Sequence, residues 1–323
     1  MMKIKTAVIG AAGYTGGELL RLLLHHPQVE IHYIHSNSQK GKSLEEVHPD
    51  LIGDSDLTFT DQISTIGLDA VFLCLPHGET KPFLDSHSFP EETVIIDLST
   101  DFRNESNGFV YGLPEVNRPK IQGAKKIANP GCFATGIQLA LAPAIAAGLT
   151  KNHPLHITGI TGSTGAGKKL SETTHFSQRT SNVSVYKLFT HQHLKEIKQT
   201  FGQLNQTATN ELLFVPYRGN FSRGIWVTAY FAYEGSLDEA YNTYESFYQD
   251  APFTHVSRRD IDMKQAVNTN KCLIHLKQEA GQLIIYSSID NLLKGASGQA
   301  VQNLNLAFGL DEKAGLTLKS IAF

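Results

Sequence analysis

Ile4-Lys5-Thr6-Ala7-Val8-Ile9-Gly10-Ala11-Ala12-Gly13-Tyr14-Thr15-Gly16 is the stretch on which the fold turns. Ile4 to Ile9 is β-rich. A helical pattern from Gly17 to His26 carries Leu19, Leu20, Leu22, Leu23 and Leu24 before Pro27 stops it. A second β-rich run, Val29 to His35, completes a βαβ unit. Gly10, Gly13 and Gly16 let the backbone turn tightly and approach a pyrophosphate, which a helix N-terminus binds through its unpaired N–H groups. A glycine triplet alone is weak evidence, since a plain tight turn uses glycine too. Set between a strand and a helix, this one reads as dinucleotide binding, with Tyr14 and Thr15 on the same turn.

The end of the second strand bears on which dinucleotide. An NAD-specific unit usually carries an Asp or Glu ~20 residues beyond the glycines, on the ribose hydroxyls. Here the strand runs into His35-Ser36-Asn37-Ser38-Gln39-Lys40-Gly41-Lys42. Hydroxyls and lysines with no acid suit a 2′-phosphate, so Ser36, Ser38 and Lys40 are expected to select NADP. The competing reading is a solvated polar loop. Further strands are expected at Leu57–Thr60, Ala70–Leu75 and Val94–Leu98, the last running into Ser99-Thr100-Asp101-Phe102-Arg103. Open parallel sheets bind ligands beyond strand C-termini. Arg103 could hold a phosphate or carboxylate bidentately there, or simply join a structural ion pair.

Cys132 lies in Asn129-Pro130-Gly131-Cys132-Phe133-Ala134-Thr135, between an extended segment and an apolar helical run from Gly136 to Ala147. A thiol at a helix N-terminus meets unpaired N–H groups and the positive end of the helix dipole, which favour the nucleophilic thiolate. Most free cysteines are instead small buried hydrophobes. The other two, Cys74 and Cys272, are far away in sequence, and an odd, dispersed set fits reduced thiols and no structural zinc.

With 323 residues, the chain exceeds one ordinary core, so two domains are expected. A net charge of −3 gives no basic footprint for nucleic acid. No apolar stretch approaches the ~20 residues of a membrane span, and the first residues run into a strand without a signal-peptide pattern. A cytoplasmic location is therefore expected.

The second half changes character. A strand at Leu155–Ile160 leads to Gly162-Ser163-Thr164-Gly165-Ala166-Gly167-Lys168-Lys169, which nearly matches an ATP-binding loop but has Lys169 where Ser or Thr must bind magnesium. A glycine loop over the nicotinamide end of a cofactor, through Gly165, is the better reading. Strands follow at Leu212–Val215 and Ile225–Tyr233, and Ser236-Leu237-Asp238-Glu239 opens a helix through Tyr248 as a capping box. Cys272–Lys277 and Leu283–Ile289 form a hairpin, Ala300–Phe308 an amphipathic helix and Thr317–Phe323 a short strand. The fold expected is α/β: a Rossmann-type dinucleotide-binding domain, residues 1–131 and 300–323, plus an α+β catalytic and dimerisation domain with a mostly antiparallel sheet, residues 132–299.

Taken together, Gly10–Gly16, Leu75–Gly78, Asp97–Arg103, Tyr111-Gly112-Leu113-Pro114-Glu115, Asn129–Thr135, Gly162–Lys168, His191-Gln192-His193 and Asp290–Asn303 resemble the N-acetyl-γ-glutamyl-phosphate reductase family of arginine biosynthesis. The resemblance implies a two-domain NADP enzyme related to the aspartate-semialdehyde and glyceraldehyde-3-phosphate dehydrogenases. It implies a homodimer or homotetramer, with an acyl phosphate and phosphate as its small-molecule partners. Cys132 would form a thioester, Arg103 and Asn129 would bind substrate, and Asn291 would join the cofactor site.

One departure stands out. The family places a catalytic histidine in a Pro-His segment, where this chain has Pro216-Tyr217-Arg218-Gly219. Either Tyr217 moves the proton, or His191 or His193 does. That histidine pair could equally bind substrate or scaffold the site. Arg218 adds a fixed charge that an acetyl group does not need but an N-succinyl group could use, which points to an N-succinyl substrate; the alternative is an arginine that faces solvent or pairs with an acid and leaves the acyl group open. Against these stand aspartate-semialdehyde dehydrogenase and an NADP-sensing regulator without chemistry.

Overall fold

The computed structural model describes residues 3–322 and divides into two compact units. One runs to Pro130 and adds Ala296–Thr317; the other comprises Gly131–Gly295 and the residues from Leu318.

The first unit is built on a parallel sheet of seven strands: β1 (Ile4–Ile9), β2 (Val29–His35), β3 (Phe59–Thr60), β4 (Ala70–Leu73), β5 (Val94–Asp97), β6 (Val110–Tyr111) and β7 (Lys126–Ala128). Their order is β3-β2-β1-β4-β5-β7-β6. Ala7, Ile9, Val71, Leu73 and Ala128 fill its core. The central strands β4 and β5 and the end of β1 are buried on both faces, as expected where a parallel sheet is covered on both sides. The order reverses between β1 and β4, and such switch points are where open α/β sheets take ligands. Gly10 follows β1 there, and a methyl on it would stand 2.6 Å from the Cys74 carbonyl oxygen.

The second unit has a mixed sheet: β8 (Leu155–Thr161), β9 (Ser184–Val185), β10 (Leu212–Arg218), β11 (Ile225–Ala232), β12 (Thr254–Ser257), β13 (Cys272–Glu279) and β14 (Gln282–Ile289). Their order is β12-β13-β14-β11-β8-β10-β9, with β12/β13 and β8/β10 parallel and the other neighbours antiparallel. Helix Cys132–Ala146 lies on one face, buried from Phe133 to Ile145. A helix apolar all round needs partners all round. Ser287 Oγ, Tyr244 Oη and Tyr248 Oη donate to its carbonyls at Gly136, Ala140 and Leu139, at 2.8, 2.7 and 2.6 Å.

Several elements differ from expectation. The first helix starts at Tyr14, because Gly13 already takes the extended conformation of an N-cap. The Cys132 helix begins at Cys132 itself. β10 runs on to Arg218. Helix Ser297–Ala307 is buried from Ser297 to Leu306 and so is not amphipathic. Residues 317–322 form no strand, and Phe323 lies outside the described residues. The first unit takes in Ala296–Thr317 as its last segment. Beyond it, Ile321 N donates to Val267 O and Asn268 Nδ2 to Lys319 O, which ties the tail to the second unit.

Candidate functional site

The first unit holds an anion cradle. Gly13 N-caps helix Tyr14–Leu24, which has no side-chain cap and no acid in its first turn. The positive helix end thus meets no acid from its own first turn. A methyl on Gly13 would meet nothing within 4 Å, whereas one on Gly16 would stand 2.3 Å from the Ala11 carbonyl oxygen. One glycine therefore leaves room for a ligand and the other lets helix and strand close up, the division of labour that pyrophosphate binding requires. His48, which sequence reading missed, supports the turn with Nε2 2.8 Å from Ala11 O. Thr15 is bonded to Cys74 through its side chain and accepts Ser297 Oγ at its carbonyl, 2.7 Å, while Tyr14 is 40% exposed. The residues fit a dinucleotide.

Ser36 and Ser38 lie just beyond β2, with hydroxyls 3.4 Å apart. Lys40 Nζ, however, meets Asp61 Oδ2 at 2.7 Å. The acid that is missing after β2 arrives from the end of β3. An exposed pair of this kind is weak, so Lys40 is still able to change partners.

Arg103 and Asn129 are committed to the protein. Arg103 is buried; Nε donates to Asn129 O at 2.9 Å and Nη2 to Leu98 O at 3.1 Å. Asn129 Nδ2 donates to Ala296 O, 2.9 Å, and Oδ1 accepts Asn303 Nδ2, 3.1 Å. Both fix the segment that runs into Cys132 three residues later. Beneath them Asp97 is fully buried and pushed up by burial, although Ser99 and Thr80 donate to it. Burial likewise pushes the Cys74 thiol up to about 12, which removes it as a nucleophile.

The second unit holds Cys132, the first residue of its helix, with Gly131 as N-cap and no acid in the first turn. Gly131 N donates to Glu196 Oε2 at 3.1 Å, and a methyl on Gly131 would stand 2.3 Å from His193 Nε2. A methyl on Gly295 would stand 2.9 Å from Cys132 Cβ. His193 therefore packs against the residue before the nucleophile, and Gly295 against the nucleophile itself. His193 Nε2 is 4.0 Å from the buried Glu196 Oε1. Glu196 follows His193 by three residues at the start of helix Leu194–Leu204, a spacing that could have signalled it. His191 lies edge-on to His193 with ring centres 4.5 Å apart, and its Nδ1 accepts His193 N at 3.3 Å. Burial, with Lys187 adding to it, pulls His191 down to about 4, so its ring is neutral at pH 7.

Tyr217 is not part of this group. β10 pairs with β8 without a register break, so Phe214 and Arg218 share one face and Tyr217 takes the other. The helix side is fixed by Phe214, whose ring centre is 5.2 Å from Phe133 of the Cys132 helix. Tyr217 is on the opposite face, with Ile160 and Val185 as strand neighbours. The site side instead presents Tyr186, absent from the sequence reading. Arg218 stacks 4.8 Å over the Tyr186 ring and bonds its hydroxyl; burial, then the charge of Cys132, raises that phenol.

Asn291 clamps the glycine loop. Its Oδ1 accepts Gly224 N at 2.7 Å and its Nδ2 donates to Thr164 Oγ1 at 3.0 Å, beside Gly165 on the turn Ser163–Ala166. Its amide is thus spent on shaping the loop. Among the described residues no cluster of His, Cys, Asp and Glu is arranged to hold a metal, and no helix is long and apolar enough to cross a membrane.

Residues 5–124 match the semialdehyde dehydrogenase NAD-binding domain and residues 132–291 the semialdehyde dehydrogenase dimerisation domain. The chain is 54% identical over 319 residues to an N-acetyl-γ-glutamyl-phosphate reductase of Christiangramia forsetii, covering 98% of this chain and 99% of the relative. It is 53% identical to the same-named protein of Parabacteroides distasonis, over 99% and 100% of the two chains. Among solved structures it resembles aspartate-semialdehyde dehydrogenase II of Vibrio cholerae with a TM-score of 0.76 at 16% identity, over 96% of this chain and 99% of that one. That likeness is one of fold. The nicotinamide-dinucleotide cradle, the helix-borne cysteine and full-length identity above one half agree, and the chain belongs to the N-acetyl-γ-glutamyl-phosphate reductase family.

Proposed function

We propose that this oxidoreductase converts an N-acyl-γ-glutamyl phosphate to the N-acylglutamate 5-semialdehyde in arginine biosynthesis, through a thioester on Cys132 and with NADPH as reductant. The observation that carries it is Cys132 at the first position of a fifteen-residue helix, with His193 against the preceding glycine. The helix end favours the thiolate. An acyl phosphate has a good leaving group, so the sulfur–carbon bond forms as the carbon–oxygen bond to phosphate breaks, splitting a hard step in two. His193 takes the thiol proton and passes it to the departing phosphate. His191, neutral at pH 7, orients His193 through its backbone N–H. Backbone N–H groups of the first helical turn stabilise the tetrahedral oxyanion. The turn Gly10–Gly16 would hold the pyrophosphate, and Ser36, Ser38 and Lys40 the 2′-phosphate. NADPH, when bound, supplies the hydride. Collapse of the resulting thiohemiacetal releases aldehyde and restores the Cys132 thiolate.

A homodimer or homotetramer working in the cytoplasm completes this reading. It is supported by the match of residues 132–291 to a dimerisation domain and by three cysteines that are all free. The decisive test is Cys132→Ala. It should bind NADPH as the wild type does, by fluorescence titration, and show no turnover in either direction. Residual activity above a few per cent of wild type would mean the covalent step is dispensable.

A further inference from the structure

Arg179 is a buried charge for which the mechanism has no use. It ends the short helix Phe176–Arg179 and is 6% exposed. Nη1 and Nη2 each donate to Ser184 Oγ at 3.2 Å, and Nη2 also to Asn182 O at 3.3 Å. Its Nε is buried with no acceptor. All these acceptors are neutral. A guanidinium stays charged at any physiological pH, and burying one without a counter-charge is costly.

A second guanidinium stands beside it. β9 pairs with β10 so that Ser184 is directly opposite Arg218, and opposed residues carry their side chains on one face about 5 Å apart. Arg218 Nε is also buried without an acceptor. Neither arginine has a carboxylate partner among the described residues. Ser184 thus sits between two positive groups. The series leads back to the nucleophile, since Arg218 lies over Tyr186 and Tyr186 is in electrostatic contact with Cys132.

We propose that Arg179, Ser184 and Arg218 form a carboxylate-binding site that grips the non-reacting end of the substrate, away from the acyl phosphate. This rests on the function proposed above. Two orphaned Nε atoms, the Arg179 fork on the Ser184 hydroxyl and Arg218 on the residue paired opposite suit a planar two-oxygen anion. Tyr186 lies under Arg218 and edge-on to His191 at 5.8 Å, and His191 lies edge-on to Phe133, the residue after Cys132, at 5.7 Å, which sets the gripped group apart from the carbon that bears the phosphate. The carboxylate could be the α-carboxylate of the glutamyl unit or the terminal carboxylate of a dicarboxylic N-acyl group, and the test separates them.

The reverse reaction reads the aldehyde and phosphate separately. Arg179→Gln and Arg218→Gln should each raise KM for the aldehyde about 10- to 100-fold, the worth of one charge-assisted contact, with KM for phosphate unchanged. Arg179→Lys should recover part of the loss, and it guards against a Gln variant that fails to fold. A KM increase for both N-acetyl- and N-succinylglutamate semialdehyde assigns the α-carboxylate; an increase for the succinyl compound alone assigns the acyl carboxylate. An α-carboxamide aldehyde serves as cross-check, since the Arg179→Gln penalty should vanish on it in the first case. Unchanged aldehyde KM in both Gln variants, or a rise in phosphate KM instead, overturns the proposal. Inactivity of the wild type on both aldehydes would count against the function itself.

Discussion

Two glycines hold the nucleophile by lacking a side chain. Gly295 leaves Cys132 its space, and Gly131 leaves His193 its own. Gly295→Ala would also press on the Asn291 carbonyl at 2.7 Å, so the loop or the cysteine has to move. Because a misplacement of about 1 Å can cost about 100-fold in rate, kcat should fall by about that factor. Alkylation of Cys132 by iodoacetamide should slow in parallel; unchanged kcat and alkylation would show that the contact is slack. A different residue-scale test concerns cofactor choice. Asp61 holds Lys40, and its carboxyl is kept below the usual range by that lysine. Asp61→Asn frees the ammonium for a 2′-phosphate and removes a like charge from its neighbourhood. The ratio of kcat/KM for NADP to that for NAD should exceed one in the wild type and rise several-fold in the variant. A wild-type ratio of one or below refutes the reading of Ser36, Ser38 and Lys40, and a fall in the variant refutes the competition.

At the scale of elements, the histidine segment between β9 and helix Leu194–Leu204 should govern acid stability. His191 titrates at about 4 when folded, against about 6.5 for a free imidazole. A depressed histidine binds its proton more readily in the unfolded chain, so stability is lost as pH falls from above 6.5 towards 4. Between pH 7 and 5 the loss should be about 2 kcal/mol. His191→Asn should flatten this dependence in urea titrations, and an equal slope in wild type and variant would show that His191 is not the group. The same elements show where sequence stops being legible. The βαβ turn was readable because its glycines, strand and helix are contiguous, and the capping box at Ser236 because its partners are three residues apart. Tyr217 falls on the far face because a strand alternates its faces, and ending β10 at Val215 hides that three more residues continue the alternation. Asp61 reaches Lys40 through strand pairing, which no local window contains. Tyr186 and Arg179 come from a stretch without periodicity; only the pairing of β9 with β10 gives them meaning.

For the whole molecule, the face of the second sheet turned away from the Cys132 helix is the feature that calls for a partner. An antiparallel sheet facing water usually presents polar residues there. This one presents His156 and Ile160 from β8, Tyr217 from β10, Trp226 and Tyr230 from β11, and Ile284 and Tyr286 from β14. His156 and Tyr230 stack with ring centres 4.9 Å apart, Trp226 and Tyr286 lie 5.7 Å apart, and Tyr230 is 38% exposed. Tyrosine and tryptophan are the residues that interfaces enrich, and a second copy meeting this face across a two-fold axis would bury the same rings from both sides. Tyr217 then belongs to assembly, and Tyr217→Phe should leave kcat within about twofold. Tyr230→Glu places a carboxylate where two faces would meet, and its burial without a partner is costly. That variant should sediment as a monomer at micromolar concentration where the wild type sediments as a dimer or larger. Its circular dichroism should remain that of the wild type, because the opposite face of β11 carries the core. Unchanged sedimentation would place the interface elsewhere.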